Sequence, residues 1–261
     1  MRRADLLLLA LATSACFPPA TLTPDGREKV VRTLSRQPRY LRVAAYVGPF
    51  YRDGGRVLLS DRPASEIEVL ETPDGKPIPP PPPERVLRPG TPVFVDTVQF
   101  PTGTVLWSRP ILTPRYLPWL IASVEGVELP AVLLLSREAA EADDLLAEVG
   151  RVLSADDPTP IFRALPEAQR VAVLAKQPLE GMGRQAVAMA WGYPDRIAVD
   201  RPARTEEWSW SGGRRHAVFQ DERLVRFETA RPAPPPGTDA LPPGAPGLPD
   251  GPTAPSRPSP G

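Results

Sequence analysis

A chain of 261 residues, 41% of them apolar, can furnish the core of one large or two small domains, and its 31 basic and 31 acidic residues balance to zero. That balance lacks the basic footprint of a nucleic-acid binder. One cysteine and one histidine exclude an intrachain disulfide and leave no ordinary zinc site, while proline, at 38 residues, is about three times ordinary usage.

In chain order, Arg2 and Arg3 form a positive start, Leu6 to Ala12 an apolar run too short to span a bilayer, and Thr13-Ser14-Ala15 a small-residue approach to Cys16. This segment resembles a bacterial lipoprotein signal, with residues 1–15 as the cleaved leader. Thr13 stands where that family prefers Leu. The resemblance implies lipidation of Cys16 by a diacylglycerol thioether and an N-acyl chain of the palmitate type, which holds far more firmly than one myristoyl group. Phe17 replaces the Asp that resembles an inner-membrane retention signal, so the expected place is the outer membrane, facing the periplasm. The alternative is an ordinary secretory signal with a free thiol.

Residues 16–38 read as a tether, with a short amphipathic helix from about Arg27 to Ser35. From 39 to 135 the punctuation is that of short strands. These include Leu41–Val43, Ala45–Val47, Val57–Leu59, Val93–Val98, Thr104–Trp107 and Trp119–Val124, with a donor-free proline run at Pro77–Pro83 as a surface loop. Several short strands without a long helix predict a small β-barrel or sandwich. The turn Arg88–Val93 resembles that of SH3-like envelope modules.

Residues 136–164 read as a connecting helix and linker, with Ser136 as N-cap and Ala142, Leu145, Leu146, Val149, Val152 and Leu153 at helical spacing. In 165–230, Pro166 opens a helix with Val171, Leu174 and Ala175 on its apolar side. A second helix carries Met182, Ala186, Val187, Ala190 and Trp191 and stops at Gly192 before Pro194. Strands follow at Arg196–Val199, Glu207–Trp210, Arg215–Phe219 and Leu224–Phe227, with a glycine hairpin at Ser211–Arg214. Trp191, Trp208, Trp210, Phe219 and Phe227 are the candidate core.

Gly181-Met182, Val187, Trp191–Asp195, Glu207–Trp210 and Phe219–Phe227 resemble the small α/β domain of the SmpA/OmlA (BamE-like) family over about 60 residues. The whole chain is thus expected to be α+β: an N-terminal barrel or sandwich, a connecting helix, then two helices with an antiparallel sheet. Residues 231–261, rich in Pro and Gly and without aromatics, form an expected disordered tail.

Chemistry is sparse. His216 has no partner for a metal or a Ser-His-Asp triad, and the adjacent pairs Asp143-Asp144, Asp156-Asp157 and Glu206-Glu207 point their members apart. No phosphate-binding glycine motif occurs. The expectation is a non-catalytic scaffold or assembly lipoprotein without cofactor or metal, binding envelope proteins and no nucleic acid. The alternative is a β-rich module that binds peptidoglycan.

Overall fold

The computed structural model describes residues 22–229. The expected leader, Cys16 and the tail 231–261 lie outside the described residues. The helices are α1 (Pro24–Leu34), α2 (Gly103–Ser108), α3 (Ala142–Val152), α4 (Thr159–Ala164), α5 (Glu167–Leu174) and α6 (Arg184–Trp191). The strands are β1 (Gln37–Leu41), β2 (Ala45–Phe50), β3 (Asp53–Ser60), β4 (Arg85–Leu87), β5 (Pro92–Gln99), β6 (Trp119–Val124), β7 (Ala131–Leu134), β8 (Leu153–Ser154), β9 (Arg196–Asp200), β10 (Thr205–Trp210), β11 (Arg215–Gln220) and β12 (Arg223–Thr229).

The expected barrel or sandwich is overturned. β1 to β8 form one open, mixed sheet in the order β4-β2-β3-β7-β6-β5-β1-β8, in which β3 and β7 run parallel and pair Val57 with Ala131 and Leu58 with Val132. The sheet need not close on itself, because helices cover it: Val30 and Leu34 of α1 and Leu145, Val149 and Val152 of α3 pack with Val93, Val95, Leu120, Ala122 and Leu133. Phe50, Leu58, Trp119, Ile121 and Val132 form a second cluster with Ile67. Alternation along β6 therefore sends Leu120 and Ala122 into one cluster and Trp119 and Ile121 into the other. A strand covered on both faces reads as a continuous apolar run.

The segment 136–164 is likewise no mere connector. Its helix starts at Ala142 rather than near Ser136, contributes to the main core, and runs directly into β8, which pairs with β1 through Tyr40–Ser154 and Leu41–Leu153. Ser136 instead donates its backbone N–H to Glu148.

The two-helix BamE-like domain is overturned too. The last four strands make an antiparallel sheet, β12-β11-β10-β9, but the core beneath it also takes Ala44 from the turn before β2 and Phe162 from α4, with Val86 of β4 packed against it. It is one flank of a single compact unit. The helix faces differ in part. Val171 and Leu174 are 61% and 40% exposed, and α5 buries Ala172 and Val173. Every residue of α6 from Ala186 to Trp191 is buried, as expected of a helix surrounded by protein.

The expected strand Thr104–Trp107 is the helix α2. Its β-favouring Thr and Val residues follow Gly103 in the left-handed region, φ 51°, which turns the chain out of β5.

Candidate functional site

Trp191, Trp208, Trp210 and Phe219 are all buried and meet edge to face or tilted, with ring centroids 4.8–5.8 Å apart. Phe227 reaches Trp191 at 5.7 Å yet is over a third exposed, at the rim of this cluster. The indole N–H groups are committed: Trp191 donates to Lys176 O, Trp210 to Gly192 O and Trp208 to the Glu206 carboxylate. The four buried aromatics are packing, and of the five only Phe227 keeps part of its ring at the surface.

The adjacent carboxylates separate as their positions require. Asp143 bonds Lys29, Asp157 accepts the Thr159 N–H, Glu206 takes Arg184, and Glu207 lies 3.5 Å from His216 Nδ1. Among the described residues, no three His, Cys, Asp or Glu side chains are placed to hold a metal ion.

A wide concavity lies elsewhere. A cleft of about 610 Å³ opens between the end of β3, the segment 66–70, the loop 111–117, the end of β7 and one face of α3. Leu58, Leu70, Leu117, Leu133 and Leu135 supply an apolar floor. Arg62, Arg115, Arg137 and Arg151 and Glu66, Glu68, Glu138 and Glu148 supply charges of both signs. Such a lining, apolar with a few convergent polar groups, is the usual make-up of a binding site.

The wall of this cleft continues into a seam of charge that joins the two sheets. Asp195, just past the α6 stop, receives Arg151 Nη2 at 2.9 Å, Arg62 Nη2 at 3.3 Å and the Ser211 N–H at 2.6 Å. Burial raises its pKa, but Arg62, the Ser211 N–H and Arg151 outweigh it, so Asp195 is held below the usual carboxylate range. Glu148 goes the other way. Burial lifts its pKa against the opposing pull of the Ser136 N–H and of Arg62 and Arg151, although both of its oxygens accept that N–H.

Deeper in the seam, Glu66 bonds Arg215 Nε at 2.9 Å with both side chains under a tenth exposed, and takes the Ser211 hydroxyl at 2.5 Å. Arg215 also donates to Trp191 O at 3.0 Å and lies 5.3 Å and 5.6 Å from the Trp191 and Trp210 ring centres. Outside this pair, Arg214 bonds Glu68 at 2.5 Å on the rim of the cleft.

Lys176 is the most unusual group. It is buried, and its ammonium donates to the carbonyls of Ala44 at 2.7 Å and Asp61 at 3.0 Å, with the Tyr46 ring 5.0 Å away. Burial drives its pKa down to about 7, with Asp61 and Glu66 opposing and Arg215 assisting. Sequence reasoning missed Lys176, Arg215, Glu66 and Asp195. Only Lys176 left a signal, as one of three lysines in an arginine-rich chain.

Chemically, Glu66 and Glu68 are engaged by arginines and Glu148 by a backbone donor. That arrangement suits shaping and recognition of an extended guest more than proton transfer to it. No protein-family model, curated protein or solved structure matches this chain.

Proposed function

We propose that this chain is a lipid-anchored protein of the bacterial envelope, held by Cys16, whose folded body is a non-catalytic module that binds an extended segment of another envelope protein in the cleft. The observation that carries the binding half is the cleft itself: a leucine floor flanked by both signs of charge, which matches a strand or loop with an apolar side chain between charged ones. The anchoring half rests on Arg2, Arg3, the leucine run and Ser14-Ala15-Cys16. The outer membrane, facing the periplasm, is the place that Phe17 favours.

Two measurements test it. Mass spectrometry of the mature N-terminus is expected to find Cys16 acylated, and an unmodified Cys16 removes the anchor. A photo-crosslinking residue at Val69, which lines the cleft and is 40% exposed, is expected to give a discrete protein adduct in intact envelopes that disappears with Leu70→Arg in the floor. Adducts that survive Leu70→Arg would remove the cleft from the reading. Cosedimentation with isolated peptidoglycan in place of an adduct would favour the glycan-binding alternative.

A further inference from the structure

The segment between β5 and β6 is unlike the rest of the chain. Residues 97–124 contain no acidic residue and only two charged ones, Arg109 and Arg115, in a protein whose 261 residues include 31 Asp and Glu. The same segment carries Trp107 and Ile111, which at 75% and 77% are the most exposed large apolar side chains among the described residues, with Leu112 at 43% and Tyr116 at 47% beside them in sequence.

This exposure does not come from a slack loop. Arg109 is 4% exposed and donates to the carbonyls of Gln99, Arg115 and Leu117 at 2.7–2.8 Å, while its guanidinium lies 3.9 Å over the Trp119 ring. Trp119 in turn donates to Pro114 O at 3.0 Å, Arg115 to Leu106 O at 2.6 Å and Thr113 to Pro110 O at 2.7 Å. The backbone is therefore pinned from the inside, and the apolar side chains stay out in water because the loop is built to hold them there. Such a cluster has a use when something apolar meets it.

We infer that the loop 107–116 inserts into the surface of an anionic lipid bilayer, giving the folded body a membrane contact of its own. Three features select lipid over another occupant. Trp and Tyr are the residues that settle at the boundary between hydrocarbon and headgroups. Arg115, 5.9 Å from both the Trp107 and Tyr116 ring centres, places a cation at the level of those rings. Arg56, paired with Asp53 at 2.7 Å, and the buried Arg109 lie 5.8 Å and 3.9 Å from the Trp119 ring and add positive charge behind the tip, while the acidic side chains of the neighbouring cleft belong to other segments. An excess of cations beside an apolar tip complements acidic headgroups.

The inference needs no acylation, and its test removes it. Cys16 is the only cysteine, so the full chain with Cys16→Ser and Ile111→Cys carries one polarity-sensitive fluorophore at the loop. A companion with Cys16→Ser and Val171→Cys carries it on α5. Vesicles of phosphatidylethanolamine with phosphatidylglycerol are expected to blue-shift the probe at 111 and leave the probe at 171 unchanged. Adding Trp107→Ser and Arg115→Ser is expected to weaken binding, read from the shift at 111, at least tenfold. A probe at 111 that does not respond, or the same shift at both positions, overturns the proposal. So does an unchanged titration in the Trp107→Ser, Arg115→Ser chain. Because no variant can be acylated, failure here is separate from failure of the Cys16 anchor.

Discussion

Arg215 and Glu66 are 149 positions apart in the chain and form a buried ion pair, Nε to carboxylate 2.9 Å, that fastens the second sheet to the loop after β3. Truncating one partner of such a pair leaves an uncompensated buried charge, which typically costs about 3–5 kcal/mol. Arg215→Ala and Glu66→Ala are each expected to lower unfolding stability by that order. The double variant Arg215→Met, Glu66→Leu is expected to cost less than the sum of the two, as urea unfolding of all four chains will read.

Lys176 makes stability depend on pH on the alkaline side. Its pKa falls from 10.5 to about 7 on folding, chiefly through burial, so the unfolded chain binds the extra proton between those values. Stability must therefore rise as pH rises from about 7 toward 10.5, and the cost of the buried charge is present in full below about 7. Lys176→Met is expected to flatten that slope. The check is the urea midpoint measured at pH 7, 8, 9 and 10 for both chains.

Asp195 works with the opposite sign. Its pKa is depressed, so its contribution is complete above the ordinary carboxylate value of 3.8 and is lost as pH falls through the lower folded value. Asp195→Asn is expected to cost about 1 kcal/mol at neutral pH, a modest loss because the site is a third exposed to screening solvent. Acid unfolding followed by circular dichroism should show a shallower loss of stability in the variant.

Gly192 ends α6 with φ 85°, and a Cβ there would lie 2.3 Å from Asp61 Oδ2. Backbone conformation therefore strains any side chain there, and the Asp61 side chain must also move to admit one. Gly192→Ala is expected to destabilise by about 2 kcal/mol or more, and Gly75→Ala by about 1, since its φ is also positive but nothing lies within 4 Å of the added atom. Thermal unfolding of the two variants side by side separates the clash from the backbone term.

What sequence alone reveals about this chain follows the range of the interaction. The meander β10–β11–β12 and the α6–Gly192–Pro194 stop depend on residues a few positions apart, and their glycine turn and helix-stop signals are local. The parallel pairing of β3 with β7 joins Val57 to Ala131, and the pairing of β1 with β8 joins Leu41 to Leu153. No turn residue announces either, so a barrel and an open sheet read alike. On α5 the stripe misled because Val171 and Leu174 satisfy helical spacing as well as Ala172 and Val173, while packing chose the smaller pair. The cleft draws on five separate stretches and has no motif of its own. Trp191, Trp208, Trp210 and Phe219 are legible as core because apolar aromatics cluster in sequence, whereas Phe227, read the same way, ends at the rim, and Glu66, Lys176, Asp195 and Arg215 look like surface residues until the fold brings them together.

The placement of β1 between β5 and β8 bears on how the chain acquires its shape. Synthesis delivers residues 37–41 before any other strand, yet β5 arrives some fifty residues later and β8 only at 153–154. Until then β1 waits with both edges bare, and closing those distant pairings costs loop entropy before it returns any contact. Folding of this unit is therefore tied to completion of its first two-thirds, and a helper that shields an early, unpaired strand would act on Gln37–Leu41.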